Sequence, residues 1–371
     1  MKQPPQVFLP AHGGQLRQIA ARYGVPAEQL VDFSANINPA GPPASALAAL
    51  HRALADPATL AAYPDLELTY LKKIIAEASN SSQKNIAVAN GFVPLLEATL
   101  RSLRISRCLL PVPSFSEYWQ TLVNAGVAVV PYNLSEEENF SYDPGVLVRA
   151  LLDDGCDALL LANPQNPSGV LCEADKMRGL VEMAAKHGIK VLLDEAFIDY
   201  APAQSLTRAA AEQENLIAFR SVTKFFAIPG LRVAYAVSND SSIEGLNRRI
   251  APWPLTTLAS DAVCAALQDE LYAENARREN VLRRTWLQQK LARLKIFTYP
   301  SSTNFLLLRF AAEVDVHLIW EKMIVEHHIV LRSCINFTGL AAGHLRIAVR
   351  SEADNERLVR SLERVLAQTQ E

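Results

Sequence analysis

Between about residue 85 and residue 239, short apolar runs alternate with amphipathic stretches. NIAVANG, RCLLPVP, AVVPYNL, DALLLANP, IKVLLDEA, NLIAFRS and RVAYAVS are each almost continuously apolar, and turn residues bound each of them. A run that is apolar on both faces suits a strand covered from both sides, as in a mainly parallel sheet. The stretches between them read as helices. EADKMRGLVEMAAKHG ends on Gly188, a residue suited to closing a helix in the left-handed conformation. Strands alternating with helices predict an α/β sheet.

The pattern changes further along. From about residue 255 to residue 294 it turns helical and rich in Arg and Glu, which predicts a long connector. FTYPSSTNFLLLRF, HIVLRSC and HLRIAVRS then read as strands, with helices at VDVHLIWEKMIVEHH and EADNERLVRSLERVLAQ. These predict a smaller α+β domain, completed by the N-terminal segment. No low-complexity linker or internal repeat interrupts the chain. The expected division is an N-terminal segment over residues 1–50, a large domain over 51–265, and a connecting helix with a small domain over 266–371.

Composition narrows the function. With 371 residues, half of them hydrophobic, the chain is long enough for one large and one smaller domain. The net charge of −3 is spread among interspersed acids and bases, so no basic face for nucleic acid is expected. Cys108, Cys156, Cys172, Cys264 and Cys334 are scattered and form no CxxC pair, which argues against a disulfide framework or a metal site and for a reducing compartment. MKQPPQVFLP lacks the apolar core of a secretory signal. No apolar stretch approaches the roughly 18 residues that span a bilayer. The expectation is a soluble, cytoplasmic protein without metal or membrane partner.

Ligands of open α/β sheets bind beyond the carboxyl ends of the strands. Several such ends are polar here: Asn163 and Asn166 after one run, Asp194 and Glu195 after another, Ser221, Thr223 and Lys224 after a third, and Gly91 before a helix after a fourth. These groups are expected to converge on one edge. Taken alone, Lys224 has a plain structural alternative, an ion pair with Asp194. Taken together, the set suits a carbonyl cofactor, pyridoxal phosphate above all. Lysine condenses with such a carbonyl, and a carboxylate beside the pyridine nitrogen keeps it protonated. A helix N-terminus with Ser221 and Arg232 supplies donors to a phosphate.

NPQNPSG, DEAF and SVTKFFAIPGLR resemble the signature blocks of the fold-type I pyridoxal-phosphate enzymes, the class I/II aminotransferase superfamily. The resemblance implies an α/β fold whose large domain carries a mainly parallel seven-stranded sheet flanked by helices, beside a smaller α+β domain. It implies that Lys224 holds the cofactor, Ser221 and Arg232 its phosphate, Asp194 the pyridinium, Asn166 the phenolic oxygen and Phe115 the ring face. The blocks HGGQLRQIAARYGVPAEQLVDFSANINPAGPP, LRSC and LRIAVRS are similar to the threonine-phosphate decarboxylase family of cobalamin biosynthesis, a relative of histidinol-phosphate aminotransferase. Phe197 stands where transaminating relatives commonly have tyrosine. That likeness implies a phosphorylated amino acid as substrate, held by His12, Gly13, Asn36, Asn166, Arg332 at its phosphate and Arg346 at its α-carboxylate. It also implies a homodimer, with Tyr63 reaching the neighbouring site.

Each residue has a plainer reading as well: His12 as a surface or capping residue, Asn36 as a turn residue, Phe115 as core, and the two arginines as partners of carboxylates. The stretch ANGFVPLLEA departs from the family. Phe92 and Val93 follow Gly91 where polar residues are usual, so phosphate binding there rests on backbone N–H groups. Two other activities compete with decarboxylation of threonine phosphate: transamination of the histidinol-phosphate type, and decarboxylation of serine phosphate. A non-catalytic cofactor-binding sensor is the third reading, and no basic segment accompanies it.

Overall fold

The computed structural model describes residue 10 and residues 12–369; the leader expectation for MKQPPQVFLP falls on residues 1–9, outside the described residues. Each of the seven apolar runs forms a strand. A short β1 (Val31–Asp32) precedes them, and they follow as β2 (Ile86–Ala89), β3 (Arg107–Val112), β4 (Ala128–Asn133), β5 (Ala158–Ala162), β6 (Lys190–Asp194), β7 (Leu216–Ser221) and β8 (Ala234–Val237). They form one sheet in the order β2-β8-β7-β6-β5-β3-β4. β3 to β7 pair parallel, whereas β8 is antiparallel to both β7 and β2. β2 therefore runs with the parallel strands, and only β8 opposes them. The continuous apolar character has the expected cause: every residue of β2, β5, β7 and β8 is buried, because helices cover both faces.

The helix Ala174–Ala185 ends as its sequence predicts. Gly188 adopts φ +71°, and the amides of Gly188 and Ile189 bond back to the carbonyls of Ala185 and Ala184, which satisfies the last turn.

The C-terminal part adds β9 (Phe297–Thr298), β10 (Phe305–Arg309), β11 (Ile329–Val330), β12 (Arg332–Ser333) and β13 (His344–Ala348). β12, β13, β10 and β9 form an antiparallel sheet, and β11 pairs parallel with β1. Its core gathers Phe33 and Ile19 from the N-terminal region with Leu306, Trp320, Ile347 and Leu358, so the N-terminal segment completes this unit through buried apolar contact. The helix Glu270–Arg293 joins the two cores. Ala276 packs in the large one, and Leu287 and Leu291 pack in the small one.

Candidate active site

Because only β8 opposes its neighbours, the chain leaves β2, β5, β6 and β7 at one edge of the large sheet. A cavity of about 300 Å³ lies there, closed on the other side by the N-terminal segment and by β12 and β13. It is lined by His12, Gly13, Asn36, Phe92, Phe115, Asn166, Asp194, Lys224, Arg232, Arg332 and Arg346, and also by Tyr118, Phe197 and Phe337.

One end is built for an anion. The helix Phe92–Leu103 begins at Gly91, with no side chain capping its N–H groups. Gly91 has φ +94°, and a Cβ there would stand 3.0 Å from Nη2 of Arg232. Glycine thus lets the guanidinium close over the helix N-terminus, where the dipole favours negative charge. Ser221 lies beside them, its Oγ 2.8 Å from Oγ1 of Thr223 and accepting from Nζ of Lys224 at 3.3 Å. Phe92 lines the cavity, packed edge-on against Phe219, and Val93 is not among the lining residues.

The middle of the cavity holds a carboxylate and an amine. Oδ2 of Asp194 accepts the Tyr118 hydroxyl at 2.6 Å, and Oδ1 accepts the Ala196 N–H at 2.9 Å. Burial pushes the Asp194 carboxyl above its usual range, while Tyr118, the Lys224 charge and the Ala196 N–H favour the anion. Burial also pulls the Lys224 amine below the ordinary lysine value; Arg232 and Arg346 reinforce this, and Asp194 opposes it. Lys224 and Asp194 feel each other without an ion-pair contact, so the plain pairing of the two is not what the fold builds. Phe197 is buried with its ring centroid 5.9 Å from Nζ of Lys224, so at this position no hydroxyl faces the amine. Phe115 lines the wall, perpendicular to Tyr118 with 5.5 Å between centroids.

The other end is cationic. Arg332 and Arg346 are register partners on adjacent strands. Arg332 donates to the Pro10 carbonyl at 3.0 Å and to Oδ1 of Asn336 at 2.8 Å. Arg346 donates to Oδ1 of Asn166 at 2.6 Å and to the Ser34 carbonyl at 3.5 Å, while its buried Nε has no partner. Burial and the neighbouring Arg332 charge push the Arg346 guanidinium down to about 10. Asn36 is buried with its Oδ1 unsatisfied; the turn role belongs to Asn38, which accepts the Ala40 N–H at 3.1 Å. A Cβ on Gly13 would lie 2.1 Å from the Ser34 carbonyl oxygen, so only glycine lets the HGG segment lie against the end of β1. His12 sits at the mouth of the cavity and bonds Glu117 through Nε2 at 3.0 Å.

Not every polar strand end joins the site. Asn163 clips its own loop, donating to the Cys172 carbonyl at 2.8 Å and accepting the Cys172 N–H at 2.9 Å. Glu195 is fully buried away from the cavity, where it accepts from the Leu206 N–H and the Ser205 hydroxyl and faces Arg220, itself paired with Asp199. Consecutive residues of an extended chain point to opposite sides, so Asp194 and Glu195 cannot share one cavity. Tyr63 is 82% exposed, packed against Trp253 with 4.8 Å between ring centroids and the planes tilted by 32°, and does not line the cavity of its own chain.

The family pattern described as Aminotransferase class I and II matches residues 28–362. The chain belongs to that family. It is 35% identical to the threonine-phosphate decarboxylase of Salmonella typhimurium over 97% of this chain and 98% of that protein. It is 25% identical to the L-serine phosphate decarboxylase of Sulfurospirillum multivorans over 82% of this chain and 79% of that protein. The crystal structure of the histidinol-phosphate aminotransferase from Clostridium acetobutylicum superposes with a TM-score of 0.85 at 28% identity, covering 91% of this chain and all of that one. The fold is fold-type I, a large mainly parallel sheet flanked by helices beside a smaller unit.

The donor set of this aminotransferase-family site fits pyridoxal phosphate. The uncapped helix N-terminus with Arg232 and Ser221 suits the phosphate, the Asp194 carboxylate a protonated ring nitrogen, Asn166 the phenolic oxygen, Phe115 the ring face, and Lys224 the aldehyde. Sequence reading missed Tyr118 and Phe337. The signal for Tyr118 lay in PSFSEYW, where it falls one helical turn beyond Phe115; Phe337 lies in a loop with no pattern to betray it. Tyr118→Phe removes a hydrogen bond to a buried carboxylate worth about 1.5–3 kcal/mol. The expected result is a shifted pH midpoint for the absorption bands of the bound cofactor and roughly tenfold weaker cofactor binding, read by spectrophotometric titration. Unchanged values would leave Tyr118 a packing residue only.

Proposed function

We propose that this chain is a pyridoxal-phosphate-dependent carboxy-lyase that converts L-threonine O-3-phosphate to (R)-1-aminopropan-2-yl phosphate and carbon dioxide, a step of cobalamin biosynthesis. The observation that carries the reading is the pair of buried arginines at one end of the cavity whose middle holds Lys224 and Asp194. Among the described residues no carboxylate makes an ion pair with Arg346, so its charge calls for an anion from outside. A planar guanidinium with a spare Nε donor suits an α-carboxylate, and Arg332 suits the substrate's phosphate. His12, Gly13, Asn36 and Asn166 complete the substrate side. The 35% identity to a decarboxylase named for threonine phosphate supports the same reading.

When bound, pyridoxal phosphate supplies the electron sink for a bond broken at the substrate's α-carbon. The chain's own residues decide which bond that is. Arg346 and Arg332 fix the substrate at two points, which removes rotational freedom before the reaction. Asp194, held by Tyr118, keeps a ring nitrogen protonated. Lys224 would tether the cofactor in the resting enzyme; once released and in its ammonium form, held by Ser221 and made more acidic by burial, it would deliver the proton that replaces carbon dioxide at the α-carbon. Phe197 leaves the Lys224 side of the cavity without a tyrosine hydroxyl to move that proton elsewhere.

The homodimer and the cytoplasm belong to the same proposal. The exposed Tyr63 and Trp253, with Leu60 and Leu66 exposed in the same stretch of chain as Tyr63, support burial against a second copy, with Tyr63 reaching its site. Five cysteines, all free and buried, support a reducing compartment. Among the described residues no helix is long and apolar enough to cross a membrane.

The deciding experiment supplies holoenzyme with threonine phosphate, serine phosphate or histidinol phosphate, with and without 2-oxoglutarate, and follows carbon dioxide and glutamate together. Carbon dioxide from threonine phosphate, independent of 2-oxoglutarate, is expected. Faster release from serine phosphate would change the substrate. Glutamate from histidinol phosphate without carbon dioxide would replace the reading by transamination.

A further inference from the structure

Arg332 and Arg346 stand directly opposite each other on β12 and β13, so both side chains leave the same face of the small sheet. They are buried, at 4% and 7% exposure. Like charges so placed repel, and the hydrogen bonds that hold the two heads run to separate partners, Pro10 and Asn336 for Arg332, Asn166 and Ser34 for Arg346. The Phe305 ring also lies 5.1 Å from the guanidinium carbon of Arg346. The ring of Phe337 meets both. Its centroid is 5.2 Å from the guanidinium carbon of Arg332 and 5.8 Å from that of Arg346. An aromatic face attracts a guanidinium, the more so where water is excluded.

The ring is itself anchored. Phe337 lies in the ten-residue loop joining β12 to β13, and two turns bracket it: its N–H donates to the Cys334 carbonyl at 3.0 Å, and its carbonyl accepts the Leu340 N–H at 3.1 Å. Asn336, one residue earlier, holds Nη2 of Arg332. Two residues later Gly339 adopts φ +79°, and a Cβ there would be 2.9 Å from Cγ2 of Val112, so the loop rests against the end of β3. Phe337 is 4% exposed and packs with the large core. The ring is thus positioned from the large sheet, whereas both arginines belong to the small one.

We infer that Phe337 is a specificity-determining residue: it sets the spacing of the two guanidiniums, and with it the carboxylate-to-phosphate length of the substrate the site accepts. This rests on the assignment of the two arginines to the two anionic ends of the substrate. The predicted property is a length filter. A ligand one methylene too short or too long reaches only one arginine in its fixed position.

The test uses three ligands with the same two charged ends and one methylene between successive members: 2-amino-3-phosphonopropionate, 2-amino-4-phosphonobutyrate and 2-amino-5-phosphonopentanoate. Each is titrated into holoenzyme, and binding is read from the change in cofactor absorbance. The wild type is expected to prefer one length by about tenfold or more, the scale of one desolvated cation–π contact. Phe337→Leu and Phe337→Ala are expected to flatten the series to within about threefold, chiefly by binding the disfavoured lengths better. Leu keeps most of the volume, so it carries the test if the Ala variant loses its cofactor. A wild type indifferent to length, or variants that weaken all three ligands equally, would overturn the inference, the second outcome leaving Phe337 a structural prop. Carbon dioxide release from threonine phosphate is measured in parallel on the wild type. Its absence would sink the decarboxylase reading while the length series still judged Phe337.

Discussion

Lys224→Ala is expected to abolish turnover, by at least about a thousandfold, and to remove the visible absorbance of lysine-bound cofactor. The argument begins with position. Lys224 follows β7 at the edge where Asp194 and the helix starting at Phe92 converge, and it is the lysine that lines the cavity. Burial, with Arg232 and Arg346 nearby, lowers its pKa, so a larger share of the amine is unprotonated than in an exposed lysine. The neutral form is the nucleophile, so cofactor loading by the wild type should speed up as pH rises and level off below the ordinary lysine pKa of about 10.4. Alanine removes the nucleophile but leaves Gly91, Ser221 and Arg232, the proposed phosphate cradle. Residual non-covalent cofactor should therefore remain, detectable by fluorescence or by the spectrum of the free aldehyde. Turnover by Lys224→Ala at the wild-type rate would remove Lys224 from the chemistry.

Arg346→Ala is expected to raise the KM for the amino-acid phosphate by about a hundredfold, with bound cofactor retained. Losing a charge-assisted contact in a desolvated site is worth about 2–3 kcal/mol, which corresponds to that factor. The same residue yields an opposite expectation for stability. Its guanidinium is buried, donates only to neutral oxygens, leaves Nε unsatisfied, and stands opposite Arg332. A buried charge without a counter-ion destabilises the fold, so Arg346→Met, which keeps the length and drops the charge, should raise the melting temperature of the substrate-free enzyme. Calorimetry beside steady-state kinetics would show both. Unchanged KM would refute the carboxylate role; a lower melting temperature in Arg346→Met would mean that the charge supports the fold.

Much of the chain was legible before any coordinates. Seven apolar runs became seven strands; for β2, β5, β7 and β8 the reason is burial on both faces, a constraint local enough to read along the chain, whereas the edge strand β4 has no buried residue. Gly188 closed its helix for an equally local reason. The strand-end residues Asp194 and Lys224 were found because position along a parallel strand dictates which edge its end reaches. Other expectations failed where the alternation of an extended chain decides direction. Glu195, next to Asp194, turned into a buried network with Arg220, and Asn163 spent both ends of its amide on Cys172.

The order of apolar and polar residues settled which segments are the strands of the large sheet and which chemical groups end them, because both follow from spacing within a few residues. The connector expected over 255–294 is two helices, Thr257–Leu267 in the large core and Glu270–Arg293 between the cores. Only the folded chain decided that Arg332 and Arg346 face each other across two strands, that Tyr118 holds Asp194 from 76 positions away, and that Phe337 meets both arginines. Such contacts depend on how the small sheet closes against the large one, and no periodicity along the chain carries that information.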